Sequence, residues 1–219
     1  MLRIATHNKI FHADEVTAIA LLKVFTTHTL DIYRIDHQST DFSVYDMVID
    51  IGRKFDGVKY FDHHQNKGFL GLASQYPRIS KLIHLVDMQD TGIQKAGDYE
   101  YPSLIKSFNS KDILHLEQEK QFDKAVEFAV TILSSMKVNQ DELEEAKEIV
   151  KNAYLFHGNP KILELEKFTP HWSSYVNGLS QPHIKAVVWQ DEAEDNWKVK
   201  LTPKTPGQFE LNAKPLQQD

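Results

Sequence analysis

The first third of the chain alternates short apolar runs with one amphipathic stretch. Four of these runs are bounded by polar residues or glycine, as buried β-strands are: Leu2 to Thr6, Asp31 to Ile35, Met47 to Ile51 and Val58 to Phe61. Between the first two lies Asp14 to Phe25, where Val16, Ala20 and Val24 recur at helical spacing. Strands that alternate with a helix predict an α/β fold with a mostly parallel sheet flanked by helices.

The rest of the chain changes from helical periodicity to strands. Apolar residues recur at i, i+4 and i+7 in a first predicted helix and again in a second one after Asn139-Gln140: Phe122, Val126, Ala129, Leu133 and Met136, then Leu143, Ala146, Val150 and Ala153. Strand-like runs follow: Ile162 to Glu166, Ile184 to Trp189 and Trp197 to Leu201. We therefore predict an α/β domain at 1–115, a helical segment at 116–160 and a small C-terminal α+β unit at 161–219.

The composition narrows the possible chemistry. The chain of 219 residues has a net charge of -6, which argues against a broad basic surface that grips nucleic acid through many phosphates. A local basic cleft or contacts through metal cations remain compatible with it. There is no cysteine, so any metal must be held by nitrogen and oxygen ligands. No signal peptide or apolar stretch of ~20 residues is found, and we expect an intracellular, cytoplasmic protein without a membrane partner.

Histidine and aspartate residues lie at the ends of three of the predicted strands. They are His7, His12 and Asp14 after the first, Asp50 at the end of the Met47-Val48-Ile49 run, and Asp62-His63-His64 at the end of the fourth. Loops at the carboxyl ends of neighbouring parallel strands converge on one crevice. Carboxylates gathered there would repel one another unless cations were present. The sequence thus predicts a site for divalent metal ions.

Each of these signals has an ordinary explanation when it is taken alone. Asp50 could be a helix cap or a turn residue, and His63-His64 could be surface histidines. Their occurrence together at the strand ends favours the metal site. Imidazole and carboxylate ligands suit first-row metals such as Mn²⁺, and a shared carboxylate can bridge two ions ~3.5–4 Å apart.

Three segments at these strand ends resemble motifs of the Myg (melanocyte proliferating gene) family. They are Thr6-His7-Asn8-Lys9-Ile10-Phe11-His12-Ala13-Asp14-Glu15, Val48-Ile49-Asp50-Ile51-Gly52 and Phe61-Asp62-His63-His64-Gln65. Later segments, including Ile162 to Glu166 and Lys214-Pro215-Leu216, resemble that family too, so the resemblance covers nearly the whole chain. The family looks like a branch of the DHH phosphoesterase superfamily, which includes RecJ nucleases and family II inorganic pyrophosphatases.

The resemblance implies a role for each motif residue. His7 and His12 would ligate a first metal, Asp14 and His63 a second, and Asp50 would bridge the two. Asp62 and His64 would orient a ligand or touch the scissile phosphate, which makes Asp50, Asp62 and His64 the implied catalytic residues and His64 a substrate-binding residue.

A fourth motif of the superfamily supplies one more aspartate, and Val86 to Ile93 resembles it. Asp87 and Asp90 both fit this position, and we slightly favour Asp87 as the ligand. The stretch between His64 and Asp87 is shorter than the resemblance implies, as if one helix were missing. The chain also ends soon after Leu216, where the family is expected to continue.

The implied activity is hydrolysis of a phosphoester with two divalent ions, Mn²⁺ first, with Mg²⁺ or Zn²⁺ as alternatives. The expected partner is RNA or a short oligonucleotide, cut by a phosphodiesterase or 3'-5' exonuclease. A small-molecule phosphatase or pyrophosphatase is the first alternative. A catalytically silent metal-binding protein is the second, and the oligomeric state is left open.

Overall fold

The chain folds into two units, Met1–Lys137 and Val138–Asp219. The structure, a computed structural model, describes residues 1–62, 76–111, 116–178, 183–191 and 193–202. The finer division into segments 1–115, 116–160 and 161–219 stays a prediction. Within the described residues, no helix combines the length and the apolar character that a membrane span needs.

The first unit is built on a parallel four-stranded sheet. Its strands are β1 (Leu2–His7), β2 (Leu30–Ile35), β3 (Met47–Ile49) and β4 (Tyr60–Phe61), in the order β2-β1-β3-β4. The helices are α1 (Ala13–Phe25), α2 (Pro77–Asp90), α3 (Tyr101–Ser107) and α4 (Leu116–Lys151). The predicted α/β class is confirmed.

The core of this unit explains why α1 and the first half of α4 form where they do. Val16, Ile19 and Ala20 of α1 are fully buried, as the helical spacing of apolar residues requires. They share one hydrophobic cluster with Phe122 and Leu133 of α4. Full burial of one such aliphatic side chain is worth ~1.5–3 kcal/mol, so this cluster is a main source of stability for the unit.

The position of β1 within the sheet decides where a site can form. The connection from β1 leads to β2 on one side, whereas β3 lies on the other side of β1. The order of the strands therefore reverses between β1 and β3, and clefts at the carboxyl ends of parallel strands open at such points. Ile4 pairs with Met47 and Ala5 with Val48. Three residues after Ile4 and Met47, the same register brings His7 opposite Asp50.

The second unit has a small mixed sheet and its own core. The strands β5 (Tyr154–Leu155), β6 (Ile162–Glu164), β7 (Ala186–Asp191) and β8 (Asn196–Leu201) lie in that order, with β6 and β7 parallel and the outer pairs antiparallel. Helix α5 (Trp172–Gly178) contributes Trp172 and Val176 to the core. The predicted small C-terminal unit is confirmed as this sheet with one short helix.

The predicted break at Asn139-Gln140 is wrong, because α4 is one continuous helix of 36 residues. No glycine or proline occurs between Leu116 and Lys151 to end it. Gln140 is buried and donates to Glu144 Oε1 at 3.3 Å, one helical turn further on. The apolar residues of α4 fall into two patches because its first part contributes to the core of the first unit and its last part to the core of the second. These two patches led to the prediction of two helices.

A carboxylate organises the turn that leads into β4. Asp56 Oδ1 accepts hydrogen bonds from the amides of Tyr60 (2.9 Å), Val58 (2.9 Å) and Lys59 (2.8 Å). These three donors lower the pKa of Asp56 to about 2. The turn fixes the start of the strand that ends just before Asp62, and so it helps to place the candidate site.

The charge of Asp56 should stabilise the fold in a pH-dependent way. Its pKa in the fold is below the ordinary 3.8, so its contribution is full above about pH 4 and is lost as the pH falls towards 2. We expect Asp56→Asn to be less stable than the wild type near neutral pH, with a difference that vanishes towards pH 2. Urea unfolding followed by circular dichroism measures this, and equal stability near neutral pH would contradict it.

Candidate metal centre

The ends of β1 and β3 bring His7 and Asp50 together. His7 Nε2 lies 3.2 Å from Asp50 Oδ2 and 3.1 Å from Glu15 Oε1. His7 Nδ1 lies 3.0 Å from the carbonyl oxygen of Asn8, which fixes the orientation of the ring. Asp50 adopts a φ of 54°, a left-handed conformation that aspartate tolerates better than most residues. The structure therefore brings the side chains at these two strand ends into contact.

The N-terminus of α1 carries three more polar side chains. His12 precedes the helix, and Asp14 and Glu15 lie in its first turn. Glu15 is fully buried and its Oε1 accepts a hydrogen bond from the His12 amide at 2.9 Å. Its Oε2 is buried with no hydrogen-bond partner among the described residues. A buried carboxylate oxygen in this state is well suited to a bound cation.

Glu15 is the residue that the sequence interpretation missed. It belongs to the first motif that resembles the family, but the resemblance assigned it no role. One available signal was its spacing from His12, because a carboxylate three residues after a helix cap reaches back to the cap. That spacing places its side chain beside both histidines.

The charges of the site are strongly coupled. Burial raises the pKa of Asp50 to about 6, the carboxylate of Asp14 raises it too, and the hydrogen bond to His7 opposes both. Burial by itself would lower the pKa of His7, but hydrogen bonds to Asp50 and Glu15 and the charge of Glu15 raise it to about 11. Burial lowers the pKa of His12, which favours a neutral ring with a free lone pair.

Within the described residues, two groups of side chains could hold a metal ion. In one, the ligand atoms of His7, His12, Glu15 and Asp50 all lie within 4.8 Å of one another; in the other, those of His12, Asp14 and Asp90 do. The groups adjoin, because Asp50 also interacts directly with Asp14. A set of nitrogen and oxygen donors without thiolate fits a divalent ion such as Mn²⁺.

The two aspartates of the fourth motif lie in different surroundings. Asp90, the last residue of α2, belongs to the group with His12 and Asp14. Asp87 lines a cavity of about 310 Å³. The geometry therefore favours Asp90 as the ligand, whereas the sequence argument leaned slightly towards Asp87.

The remaining motif residues are only partly described. Asp62 is buried, its Oδ2 accepts from the Arg53 amide at 2.8 Å, and its own amide donates to the Lys54 carbonyl at 3.2 Å. These bonds fasten the loop between β3 and β4 on which Asp50 lies. His63 and His64 lie outside the described residues.

The cavity beside the ligands is mainly apolar. Its lining comes from α1, α2 and the strands β3 and β4, and it includes Leu21, Ile49, Phe61, Ile83 and Val86. Asp14, Glu15 and Asp50 line the same space. Carboxylates and an apolar wall thus face one cavity within the first unit.

Fold and site together define an α/β protein with a candidate metal centre at the switch point of a parallel sheet. The chain belongs to the MYG1 family, described as Uncharacterised protein family (UPF0160), whose model matches residues 3–80 and 75–219. The two matched pieces meet in the segment that the sequence analysis found to be short.

Several curated relatives are similar to the chain. A MYG1 protein of Schizosaccharomyces pombe is 27% identical over 71% of this chain and 37% of the relative. A MYG1 protein of Chlamydia muridarum is 30% identical over 61% of this chain and 53% of the relative. The chain thus spans about half or less of the length of these relatives. No solved structure matches it significantly.

Replacing each aspartate of the fourth motif separates their roles. Asp90→Asn removes a charge from the group that contains His12 and Asp14, so the affinity for Mn²⁺ should fall by more than about tenfold, ~1.4 kcal/mol. Asp87→Asn makes the same chemical change outside both groups and should leave it nearly unchanged. Calorimetric titration with MnCl₂ measures both, and the reverse order would make Asp87 the ligand.

A second prediction concerns Glu15. Glu15→Gln retains an oxygen that can accept from the His12 amide, but it removes the buried charge next to His7. We expect weaker Mn²⁺ binding with the helix intact, as judged by titration and circular dichroism. Unchanged affinity would show that Glu15 only caps the helix.

Proposed function

We propose that the chain is a metal-dependent phosphoester hydrolase of the DHH superfamily and that its site holds two divalent ions, Mn²⁺ being the most suitable. The observation that carries the proposal is the pair of adjoining ligand groups at the carboxyl edge of one parallel sheet. His7, His12, Glu15 and Asp50 would hold one ion. Asp14 and Asp90 would hold the other, with Asp50 between the two.

The proposed hydrolysis depends on the carboxylates and histidines of the candidate site. Two divalent ions held by these residues would lower the pKa of a bound water and neutralise phosphoryl oxygens. We assign the role of bridge to Asp50, since it contacts both His7 and Asp14. Asp62 keeps the Asp50 loop in shape through the Arg53 amide. We assign to His63 a role as ligand and to His64 a contact with the phosphate.

For the substrate we propose a phosphodiester of RNA or a short oligonucleotide, cleaved by a 3'-5' exonuclease or a related phosphodiesterase. The name of the matching family model, MYG1_exonuc, supports this class. The apolar cavity beside the carboxylates supports it too, because a nucleobase has a flat apolar face to bury there. The net charge of -6 implies that cations, rather than a broad basic surface, would attract the phosphates.

Two alternatives remain open. A small-molecule phosphatase or pyrophosphatase could use the same ligands, although pyrophosphate has no apolar part to fill the cavity. A silent metal-binding protein would keep the ions without turnover. We therefore propose an activity screen of the metal-reconstituted protein with Mn²⁺, Mg²⁺ and Zn²⁺ against labelled RNA, a generic phosphodiester and pyrophosphate. Hydrolysis of pyrophosphate alone would favour the first alternative, and Mn²⁺ binding without any turnover the second.

Asp50→Asn tests the catalytic assignment. The substitution removes the charge of the proposed bridge, so turnover should fall by ~100-fold or more while the fold is retained. Asp98→Asn is the matched control, because Asp98 is exposed and belongs to neither ligand group. Near wild-type turnover of Asp50→Asn at saturating Mn²⁺ would rule out Asp50 as the bridge.

A further inference from the structure

The loop between His7 and His12 depends on side chains from distant parts of the chain. The loop belongs to neither β1 nor α1, and Lys9 adopts a φ of 66°. The backbone groups of the loop therefore cannot form the regular hydrogen bonds of a strand or a helix. The Asn8 amide donates to the Ile35 carbonyl at 2.8 Å, where the loop leaves the sheet. The backbone groups of Lys9 and Phe11 find their partners elsewhere.

Asn109 pairs with both backbone groups of Phe11. Its Oδ1 accepts from the Phe11 amide at 3.0 Å, and its Nδ2 donates to the Phe11 carbonyl at 2.9 Å. The side-chain amide therefore does what a neighbouring strand would do. Because the Phe11 carbonyl and the His12 amide belong to one peptide unit, this pair also restrains the backbone of His12.

Gln118 holds Lys9 from the first turn of α4. Its side chain is fully buried; Nε2 donates to the Lys9 carbonyl at 2.8 Å and to Asn109 Oδ1 at 2.6 Å, and Oε1 accepts from the Ser110 amide at 2.7 Å. Arg34 donates to the same Lys9 carbonyl at 2.8 Å. Two amides and one guanidinium thus form a connected network around the loop.

The surroundings of the network make it hard to replace by water. Phe11 is fully buried and packs edge to face on Phe122, with ring centroids 5.4 Å apart. The Arg34 guanidinium lies 4.3 Å from the Phe122 ring centroid, and its side chain is only 3% exposed. Loss of one partner would leave buried polar groups unsatisfied, which is costly and favours movement of the loop.

We propose that Asn109 and Gln118 are positioning residues for the candidate metal centre: they fix the loop that sets the separation of His7 and His12. The two rings have centroids 5.5 Å apart, and both histidines belong to one ligand group. Both amides donate to backbone carbonyls of this loop, to that of Phe11 and that of Lys9. The inference rests on the proposed metal site and adds to it residues that lie about a hundred positions further along the chain.

The experiment measures binding of Mn²⁺ alone to the full chain, without substrate. Gln118→Met preserves the length of the side chain but removes the donor to Lys9, and Asn109→Asp keeps the acceptor for the Phe11 amide but removes the donor to its carbonyl. Residues that orient metal ligands typically contribute ~10–100-fold to affinity, and we expect each variant to lose that much. Electron paramagnetic resonance of free Mn²⁺ gives the affinities.

Two controls separate positioning from general destabilisation. Gln121→Met makes the same change on the same helix, where Gln121 bonds to Glu117. Leu133→Ala destabilises the same core at a fully buried residue of the cluster. Both controls should bind Mn²⁺ as the wild type does, although Leu133→Ala lowers the Tm.

The outcomes distinguish this inference from the function on which it rests. If the wild type binds Mn²⁺ and both amide variants bind it equally well, the positioning role is overturned while the metal site stands. The role is also overturned if Leu133→Ala loses as much affinity as they do. If the wild type binds no Mn²⁺, the metal site and the positioning role fall together. If Gln118→Met does not fold, Asn109→Asp decides between these results.

Discussion

The parallel pairing of β1 with β3 is the constraint on which the site depends. Because Ile4 lies opposite Met47, the first residue beyond β3 meets the last residue of β1, and His7 faces Asp50. A register shift by one residue would turn the side chains of one strand to the other face of the sheet. The buried apolar residues of both strands prevent such a shift, so the hydrophobic core fixes the chemistry at the edge.

The same pairing creates an electrostatic problem. Asp50 and Glu15 are buried, and Asp14 lies against Asp50, so the fold concentrates negative charge where little water can screen it. His7 offsets part of that charge, because its hydrogen bonds to Asp50 and Glu15 stabilise the charged ring and raise its pKa. Proteins retain such arrangements at functional sites, where a ligand of opposite charge relieves the repulsion.

The sequence predicted what depends on local pattern and on the topology of parallel strands. Short apolar runs predicted β1 to β4. Because loops at the carboxyl ends of neighbouring parallel strands converge, His7, Asp14 and Asp50 were expected to lie together. The continuity of α4 was missed, because apolar periodicity does not distinguish one helix that serves two cores from two helices. Asn109 and Gln118 were missed because an amide gives no sign of its distant partner, and only the tertiary fold reveals it.

The network around residues 8–11 determines how early in translation the candidate site can form. Gln118 lies 109 residues after Lys9, so the ribosome synthesises both histidines long before the amide that holds their loop. At ~5–20 residues per second, that interval is ~5–20 s. During this time the nascent chain carries the β1 end of the site without the side chains that shape it. Completion of the candidate metal centre therefore requires that the start of α4 has left the exit tunnel.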